Sequence, residues 1–264
     1  MSVFDRSKAM ILVIAAIAAS SGCLQTDTAN LDSDFDTEHD NVEIDRSADA
    51  LYQESMSAVE NAGSYDIEAD NRMVMNLPVF GVAVNMTSEG EFEQESSDIN
   101  TTGSMRFSFG GNSNSTGFTH RVRTDGNSTV SYSGTDGDRS QTETEKYSRE
   151  ELGVSLESLR DIEVEDTSVL GEAQLNGEQM FLLELNANST DLMENSASVF
   201  EKHSPVQESS DRQNMEELGS FDEQEVYLWI SQDSFMPAKF AYYGSASQGS
   251  LQVRSVTEYR GENL

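Results

Sequence analysis

The sequence predicts a mainly β protein of the α+β class, built from antiparallel strands. Alternating apolar and polar residues, the pattern of a strand with one buried face, recur between Tyr65 and Tyr259. Short turn motifs separate many of these segments, and Asn176-Gly177 is the strongest hairpin signal among them. Helical periodicity is confined to short segments, of which Ser47–Ala62 is the clearest. The predicted order is therefore a helix, a run of strands, short helices and a final meander.

The C-terminal segment predicts a three-stranded meander. Its first strand, Val226–Ile230, alternates aliphatic residues with Tyr227 and Trp229, so one face should be buried and the other aromatic. Ser231–Ser234 supplies short polar side chains for a turn, and Pro237 suits the start of a strand because it has no N–H. The two strands that follow are predicted at Ala238–Gly244 and Leu251–Tyr259.

The start of this meander resembles the lipoprotein carrier superfamily of LolA, LolB and mycobacterial LppX. Trp229-Ile230 and Pro237-Ala238-Lys239-Phe240 match its pattern of a strand ending in Trp-Ile, a polar turn and a strand beginning with Pro. Ser231 and Gln232 stand where an Asp is more usual. The match extends more loosely over Asp45–Leu264. The resemblance implies a curved, incomplete antiparallel β-barrel with helices packed on its concave side and an apolar cavity for a lipid or acyl chain between them.

Within that implied fold, inward-facing apolar residues are the candidates for the lining of a ligand cavity. They are Met73, Met75, Phe80, Phe107, Phe109, Phe118, Leu228 and Ile230. The alternative is that these side chains fill a closed core. The unbroken apolar run Leu77–Val84 predicts a hairpin tip, which is either covered by helices or forms an exposed apolar rim at the mouth of the cavity.

The chain is strongly acidic. Its 264 residues include 48 acidic and only 16 basic residues, a formal net charge of −32. The acids are spread through strand-like segments, and the Debye length falls to about 3 Å at 1 M salt, which screens their repulsion. We therefore interpret the charge as adaptation to molar salt, in an extreme halophile and most simply an archaeal one. Nucleic acid is excluded as a partner because the sequence has no basic patch to bind phosphates.

The N-terminus predicts a lipoprotein signal. Residues 1–22 form a signal peptide, with Arg6 and Lys8 before the apolar run Ala9–Ala19, which is too short to cross a membrane. Cys23 is the only cysteine and follows small residues, an arrangement that resembles the bacterial and archaeal lipobox. We expect cleavage before Cys23, lipidation of its thiol, and a lipid-anchored location on the cell membrane facing the outside.

Residues 23–45 are predicted to be an acidic, disordered tether, followed by the half-barrel domain at 46–264 with a mobile loop at 204–224. Four acids of the tether occupy the first, third, fifth and last positions of an EF-hand-like calcium loop: Asp32, Asp34, Asp36 and Glu43. Thr37 replaces the glycine that such a loop needs. A solvated linker is the simpler interpretation, and the sequence predicts no metal and no cofactor.

No catalytic motif is present in the sequence. The three histidines are His39, His120 and His203, and none belongs to a recognisable triad, metal helix or phosphate loop. We therefore expect no enzyme activity. Acceptor motifs for N-glycosylation occur at Asn85, Asn100, Asn114, Asn127 and Asn188.

Two functions follow from these patterns. The first is a membrane-anchored extracellular lipoprotein that binds or carries a lipid-like hydrophobic ligand in a half-barrel cavity. The alternative is a non-catalytic structural or interaction lipoprotein of the cell surface with a filled core. An open cavity between helix and sheet would favour the first function, and a filled core would favour the second.

Overall fold

The computed structural model of the protein describes residues 31, 35, 37–42, 44–76, 81–93, 98–109, 112–122, 127–134, 140–146, 155–193, 221–246 and 250–261. Several predictions concern residues outside these ranges. They are the signal peptide with Cys23, the four EF-hand-like acids, His203, the hairpin tip with Phe80, and most of the loop at 204–224.

Eleven strands account for most of the described chain. Their bounds are β1 Tyr65–Asn76, β2 Gly81–Glu93, β3 Asp98–Phe109, β4 Asn112–Val122, β5 Asn127–Gly134, β6 Ser140–Lys146, β7 Val164–Leu175, β8 Glu178–Ala187, β9 Glu223–Ser231, β10 Pro237–Ala246 and β11 Leu251–Arg260.

All eleven strands belong to one antiparallel sheet, in the order β6-β5-β4-β3-β2-β1-β11-β10-β9-β8-β7. Each half of the chain is a meander, β1–β6 and β7–β11, and the two halves join where β1 pairs with β11. Among the described strands β6 and β7 form the two edges and do not pair with each other, so the sheet is not closed. The predicted mainly β fold, an incomplete antiparallel barrel, is confirmed.

Local turn chemistry explains the hairpins that the sequence predicted. Asn176 and Gly177 have φ of 54° and 90°, and Leu175 pairs with Glu178 on either side of them. Positive φ at both central residues is what a two-residue hairpin turn of this type requires, and Asn-Gly is the preferred pair. After β9, the N–H of Phe235 donates to the carbonyl of Ser231 at 3.0 Å. The predicted turn and the strand beginning at Pro237 are both confirmed.

One helix of three turns, α1 at Ala48–Val59, packs against the sheet. The N–H of Ala50 donates to Ser47 Oγ at 3.2 Å, so Ser47 caps the helix, which lies within the predicted Ser47–Ala62. Its buried residues, Leu51, Ser55 and Val59, are spaced four apart and share one face. No helix among the described residues is long and apolar enough to cross a membrane.

A second helical segment, Glu157–Asp161, is a 3-10 helix. The capping box formed by Ser148 and Glu151 predicts that a short helix begins at Ser148, which lies outside the described residues. The N–H of Ser158 donates to Ser155 Oγ at 3.2 Å, and Ser158 Oγ donates to the Ser155 carbonyl at 2.7 Å. These hydrogen bonds join residues three apart and compete with the i to i+4 backbone hydrogen bonds of an α-helix, which accounts for the tighter 3-10 turn.

The sheet has an apolar cluster on each face. We call the face against which α1 packs the inner face, and the opposite one the outer face. The main core lies on the inner face and includes Leu51, Ile67, Met86, Met105, Leu183, Leu228 and Phe240. A smaller cluster lies on the outer face and consists of Phe35, Ala173, Met180, Leu182, Trp229, Ala238 and Ala241.

The outer cluster is covered by part of the chain that precedes α1. We call residues 31, 35 and 37–42 the strap. The N–H of Leu31 donates to Gln252 Oε1 at 3.0 Å, and the Phe35 ring lies edge-on to Tyr227 with centroids 5.7 Å apart. Asp40 then pairs with Glu172 on the edge strand β7. The expectation of a disordered tether is wrong for these residues, because Phe35 finds an apolar surface to cover.

A glycine allows the strap to approach β7. A Cβ at Gly171 would lie 2.3 Å from the carbonyl oxygen of Asp40, so any larger residue there would push the strap away.

The last residues of the predicted mobile loop are ordered. Phe221 is buried, and β9 begins at Glu223. The predicted mobile loop is therefore wrong for residues 221–224.

Candidate functional site

The candidate site is the seam between α1, the 3-10 helix and the inner face of β7–β10. A cavity of about 10 Å³ lies there, room for roughly one water molecule. Its lining consists of Tyr52 and Met56 from α1, Leu159 and Ile162 from the 3-10 helix region, and Val164, Leu185, Leu228 and Phe240 from the sheet. All these side chains are apolar except for the hydroxyl of Tyr52, so the seam suits a hydrocarbon surface.

Polar contacts hold α1 only at its exposed edges. Thr167 Oγ1 donates to Asp49 Oδ1 at 2.6 Å, and Arg160 Nη2 lies 2.8 Å from Glu60 Oε1. The exposed Arg160–Glu60 ion pair contributes between nothing and about 1 kcal/mol, and the Thr167–Asp49 hydrogen bond is similarly weak because water competes for both groups. Apolar packing therefore holds the helix on the sheet, and such packing is non-directional.

The one polar group of the cavity is neutral. Burial raises the pKa of the Tyr52 hydroxyl above its ordinary value of 10.0, because the seam solvates a phenolate poorly. The lining therefore carries no charge at neutral pH.

The described cavity candidates lie on the inner face, and one of them lines the cavity. Leu228 lines it directly. Met73, Phe118 and Ile230 are buried in the same main core, and Met75 is half-buried against it.

Three candidates have no described side chain. Phe107 and Phe109 occupy inner-face register positions, opposite Val84 and Val82, and Phe80 lies outside the described residues. A ligand-binding role for the eight residues remains a prediction.

Sequence reasoning did not place most of the cavity lining. Tyr52 and Met56 belong to the apolar stripe of the predicted helix, and Leu159 to the predicted short helix, so their burial could be anticipated. Their convergence on Leu228 and Phe240 could not, since it depends on where α1 crosses the sheet.

The apolar hairpin segment is core where it is described. Val82 is 9% exposed and Val84 7%, and both pack in the main core on the inner face of β2. The interpretation of Leu77–Val84 as an exposed rim is therefore wrong for these two residues. They are inward-facing members of a strand that pairs with β1 and β3 on both sides.

The glycosylation motifs lie in different environments. Asn85 and Asn100 lie on the outer face and are half-exposed, opposite Arg106 and Arg121. Asn188 Oδ1 accepts a hydrogen bond from the N–H of Thr190 at 2.9 Å.

The other two acceptor positions and one histidine are placed by register. Asn127 begins β5, and Asn114 occupies an inner-face position opposite Phe107. His120 also occupies an inner-face position, opposite Thr101. Within the described part of the chain, no group of three or more His, Cys, Asp or Glu residues is placed to hold a metal ion.

The chain is similar to several solved structures, each at low sequence identity. LprF from Mycobacterium bovis aligns over 81% of this chain and 91% of its own, with 10% identity and a TM-score of 0.46. Lipoprotein LppX from Mycobacterium tuberculosis aligns over 79% and 92%, with 11% identity and a TM-score of 0.35. A LolA superfamily protein from Nitrosomonas europaea aligns over 82% and 92%, with 11% identity and a TM-score of 0.21.

These similarities concern the overall fold alone, at identities of 10–11%. No protein-family profile and no curated protein matches the chain. At this identity no residue role is transferred from the three proteins, so the function is argued from the geometry of this chain.

Proposed function

We propose that this protein is a membrane-anchored extracellular lipoprotein that binds or carries a lipid-like hydrophobic ligand between α1 and the inner face of the sheet. The observation that carries the proposal is the apolar seam, in which a three-turn helix rests on the sheet through apolar contacts, with a single hydrogen bond to β7 described at its exposed edge. In this proposal residues 1–22 are removed, and a lipid on Cys23 attaches the domain at 46–264 to the membrane. The role is binding, without catalysis.

Ligand entry requires α1 to move. The cavity of about 10 Å³ is far smaller than the roughly 300–1,000 Å³ of typical small-molecule sites. A lipid chain would take the place that Tyr52 and Met56 now occupy against Leu228 and Phe240. Apolar contact with the sheet is preserved in the exchange, since the chain buries the same surface that the helix releases.

A first experiment asks whether a ligand is present. The protein is purified at molar salt, extracted with organic solvent, and the extract is analysed by mass spectrometry. We expect a hydrophobic compound at a reproducible ratio to protein. Protein that is ligand-free in every preparation, and that also fails to bind acyl probes, would refute the proposal.

A second experiment tests the movement of α1. Asp49→Cys with Thr167→Cys, in a Cys23→Ser background, replaces two hydrogen-bonded side chains by a disulfide between α1 and β7. We expect the oxidised form to lose binding of an acyl probe and the reduced form to regain it. The matched control is Thr87→Cys with Ser104→Cys, a directly opposed, exposed pair on β2 and β3. Oxidation of the control should leave binding unchanged.

The small cavity also supports the second candidate, a structural or interaction lipoprotein of the cell surface with a filled core. That function requires α1 to stay on the sheet. The disulfide between residues 49 and 167 would then have no effect on any activity, and extraction would yield no ligand.

A further inference from the structure

A row of polar side chains crosses the otherwise apolar inner face. It runs from Ser255 on β11 to Asn71 on β1, Ser88 on β2 and Thr101 on β3. Asn71 lies directly opposite Ser255, and each later member is one diagonal step from the one before. All four are buried, between 1% and 4% exposed. We call these four residues the polar row.

Most of the row's hydrogen-bonding capacity is unused. Ser255 Oγ donates to Asn71 Oδ1 at 2.6 Å. Within the described part of the chain, Asn71 Nδ2, Ser88 Oγ and Thr101 Oγ1 are buried without a hydrogen-bond partner. Buried polar atoms are satisfied in the large majority of cases, because an unmade bond destabilises the fold. Three unpaired groups on one diagonal of one face indicate a site shaped for something other than packing.

The surroundings of the row are apolar, except that His120 on β4 occupies the register position opposite Thr101. Ile67, Ala69 and Met73 flank Asn71 on β1, and Met86 and Met105 lie on the neighbouring strands, all in the main core. On β1, β2, β3, β9, β10 and β11, no inner-face register position holds Asp, Glu, Lys or Arg. A charged headgroup would lose its hydration here and gain no counter-charge.

The unpaired atoms have a common chemistry. An amide N–H and two hydroxyls can all donate a hydrogen bond, so a ligand that presents acceptor oxygens would pair all three atoms. From Asn71 to Thr101 the row advances four residues along the strands and two strands across, a span of roughly 17 Å at ordinary strand spacings. That span suits several oxygens along an extended molecule better than one compact group.

We propose that the polar row binds the ester, ether or hydroxyl oxygens of an uncharged lipid, while the apolar residues on both sides hold its chains. The inference rests on the proposed lipid-binding function and adds the class of ligand, a neutral oxygen-bearing lipid. Phospholipids and plain hydrocarbons are disfavoured: the first carry a charge that the face does not neutralise, and the second leave the donors unpaired.

The test uses the full chain at molar salt with three probes: dioleoylglycerol, the phosphatidic acid with the same chains, and a hydrocarbon of matched length. The row variant is Ser88→Ala with Thr101→Val, which removes two unpaired hydroxyls at nearly constant volume. The control is Thr87→Val with Ser104→Ala, which removes two hydroxyls 3.2 Å apart from the exposed outer face of the same strands.

We expect wild-type protein to prefer dioleoylglycerol to both other probes. The row variant should bind dioleoylglycerol about tenfold more weakly, the order expected for two neutral hydrogen bonds, with hydrocarbon binding unchanged. Its melting midpoint should stay or rise, because the lost hydroxyls are unpaired in the free protein. If the row variant melts early, Ser88→Ala against Ser104→Ala is the milder pair.

Unchanged dioleoylglycerol binding in the row variant would overturn the inference and leave the proposed function standing. An equal loss for dioleoylglycerol and hydrocarbon would overturn it as well, since the row would then be structural. Phosphatidic acid binding as tightly as dioleoylglycerol would overturn the assignment to uncharged lipids. Wild-type protein that binds none of the three probes would refute the proposed function itself.

Discussion

The two faces of the sheet are packed in different ways, and β9 shows the contrast within two residues. Leu228 points to the inner face, where it lines the cavity beneath a helix held by non-directional contacts. Trp229 points to the outer face, where its ring lies 4.7 Å from Lys239 Nζ. Phe35 of the strap is also placed by a cation, with the Arg254 guanidinium 4.9 Å from its ring centroid. Cation–π contacts thus position Trp229 and Phe35 on the outer face, whereas α1 rests over Leu228 mainly through non-directional apolar packing.

The contrast extends to unpaired polar atoms. The inner face holds Asn71 Nδ2, Ser88 Oγ and Thr101 Oγ1 without partners within the described chain. On the outer face Gln252 Nε2 donates to Tyr243 at 3.1 Å, and its Oε1 accepts from Leu31. A face that satisfies its polar groups has reached its final state, whereas a face that leaves them unpaired is more stable with a ligand.

The largest expected effect is on the outer face. Trp229→Ala should lower the free energy of unfolding by about 3–5 kcal/mol, since Trp229 is 1% exposed and rigidly enclosed. Leu228→Ala should cost less, toward the lower end of the roughly 2–5 kcal/mol range, because α1 can settle into the space. Denaturant unfolding at constant salt measures both. A greater loss for Leu228→Ala would break the proposed contrast.

Val82→Ser tests whether the apolar hairpin segment is core. It removes a buried inner-face side chain and adds a hydroxyl, so we expect a loss of about 2 kcal/mol. Ala83→Ser, at the adjacent half-exposed position of the other face, should change stability by less than about 0.5 kcal/mol. Equal melting midpoints for the two variants would mean that Val82 is exposed at the rim and is not part of the core.

Phe35→Ala should release the strap. The loss of global stability is limited to about 1–2 kcal/mol, because the strap can undock while the sheet stays folded. Amide hydrogen exchange should accelerate at Asp40, which is bonded to Glu172. Val42→Ala, at a position 48% exposed, is the control and should leave exchange unchanged. Exchange at Asp40 that is insensitive to Phe35→Ala would show that the strap is held elsewhere.

The smallest expected effect is the pH dependence of the seam. Burial raises the pKa of Tyr52, so its stabilising contribution is complete below the unfolded value of 10.0 and is lost as pH rises through the folded pKa. Tyr52→Phe should therefore lose less stability than wild type above pH 10. Burial, with Glu225 and Glu184 nearby, also raises the pKa of Tyr227 on the outer face, and Tyr227→Phe is the comparison. If the unfolding free energy of Tyr52→Phe falls with pH as steeply as that of the wild type, the Tyr52 hydroxyl is exposed to water and not buried.

Much of the fold follows from local patterns. A helix lies within Ser47–Ala62, Asn176-Gly177 turns β7 into β8, and Pro237 begins β10, each as predicted, and Ser47 caps the helix. These features depend on backbone geometry within a few residues, which the side chains themselves determine. The class of the sheet is equally local, because strand periodicity repeats along the chain. For the candidate cavity, the sequence predicted that Leu228 faces inward. It did not predict which residues of α1 and of the other strands pack against Leu228.

The sequence by itself determined the antiparallel β class, the final meander and the Asn176-Gly177 hairpin, since these depend on strand period and turn chemistry. Only the tertiary structure decided that β1 and β11 meet at the centre, that Phe35 covers the outer cluster, and that Ser88 and Thr101 share one diagonal. The physical reason is that these contacts join residues far apart in the chain. Their formation depends on how much apolar area each face of the assembled sheet can still bury, and this area cannot be deduced from any single segment of the chain.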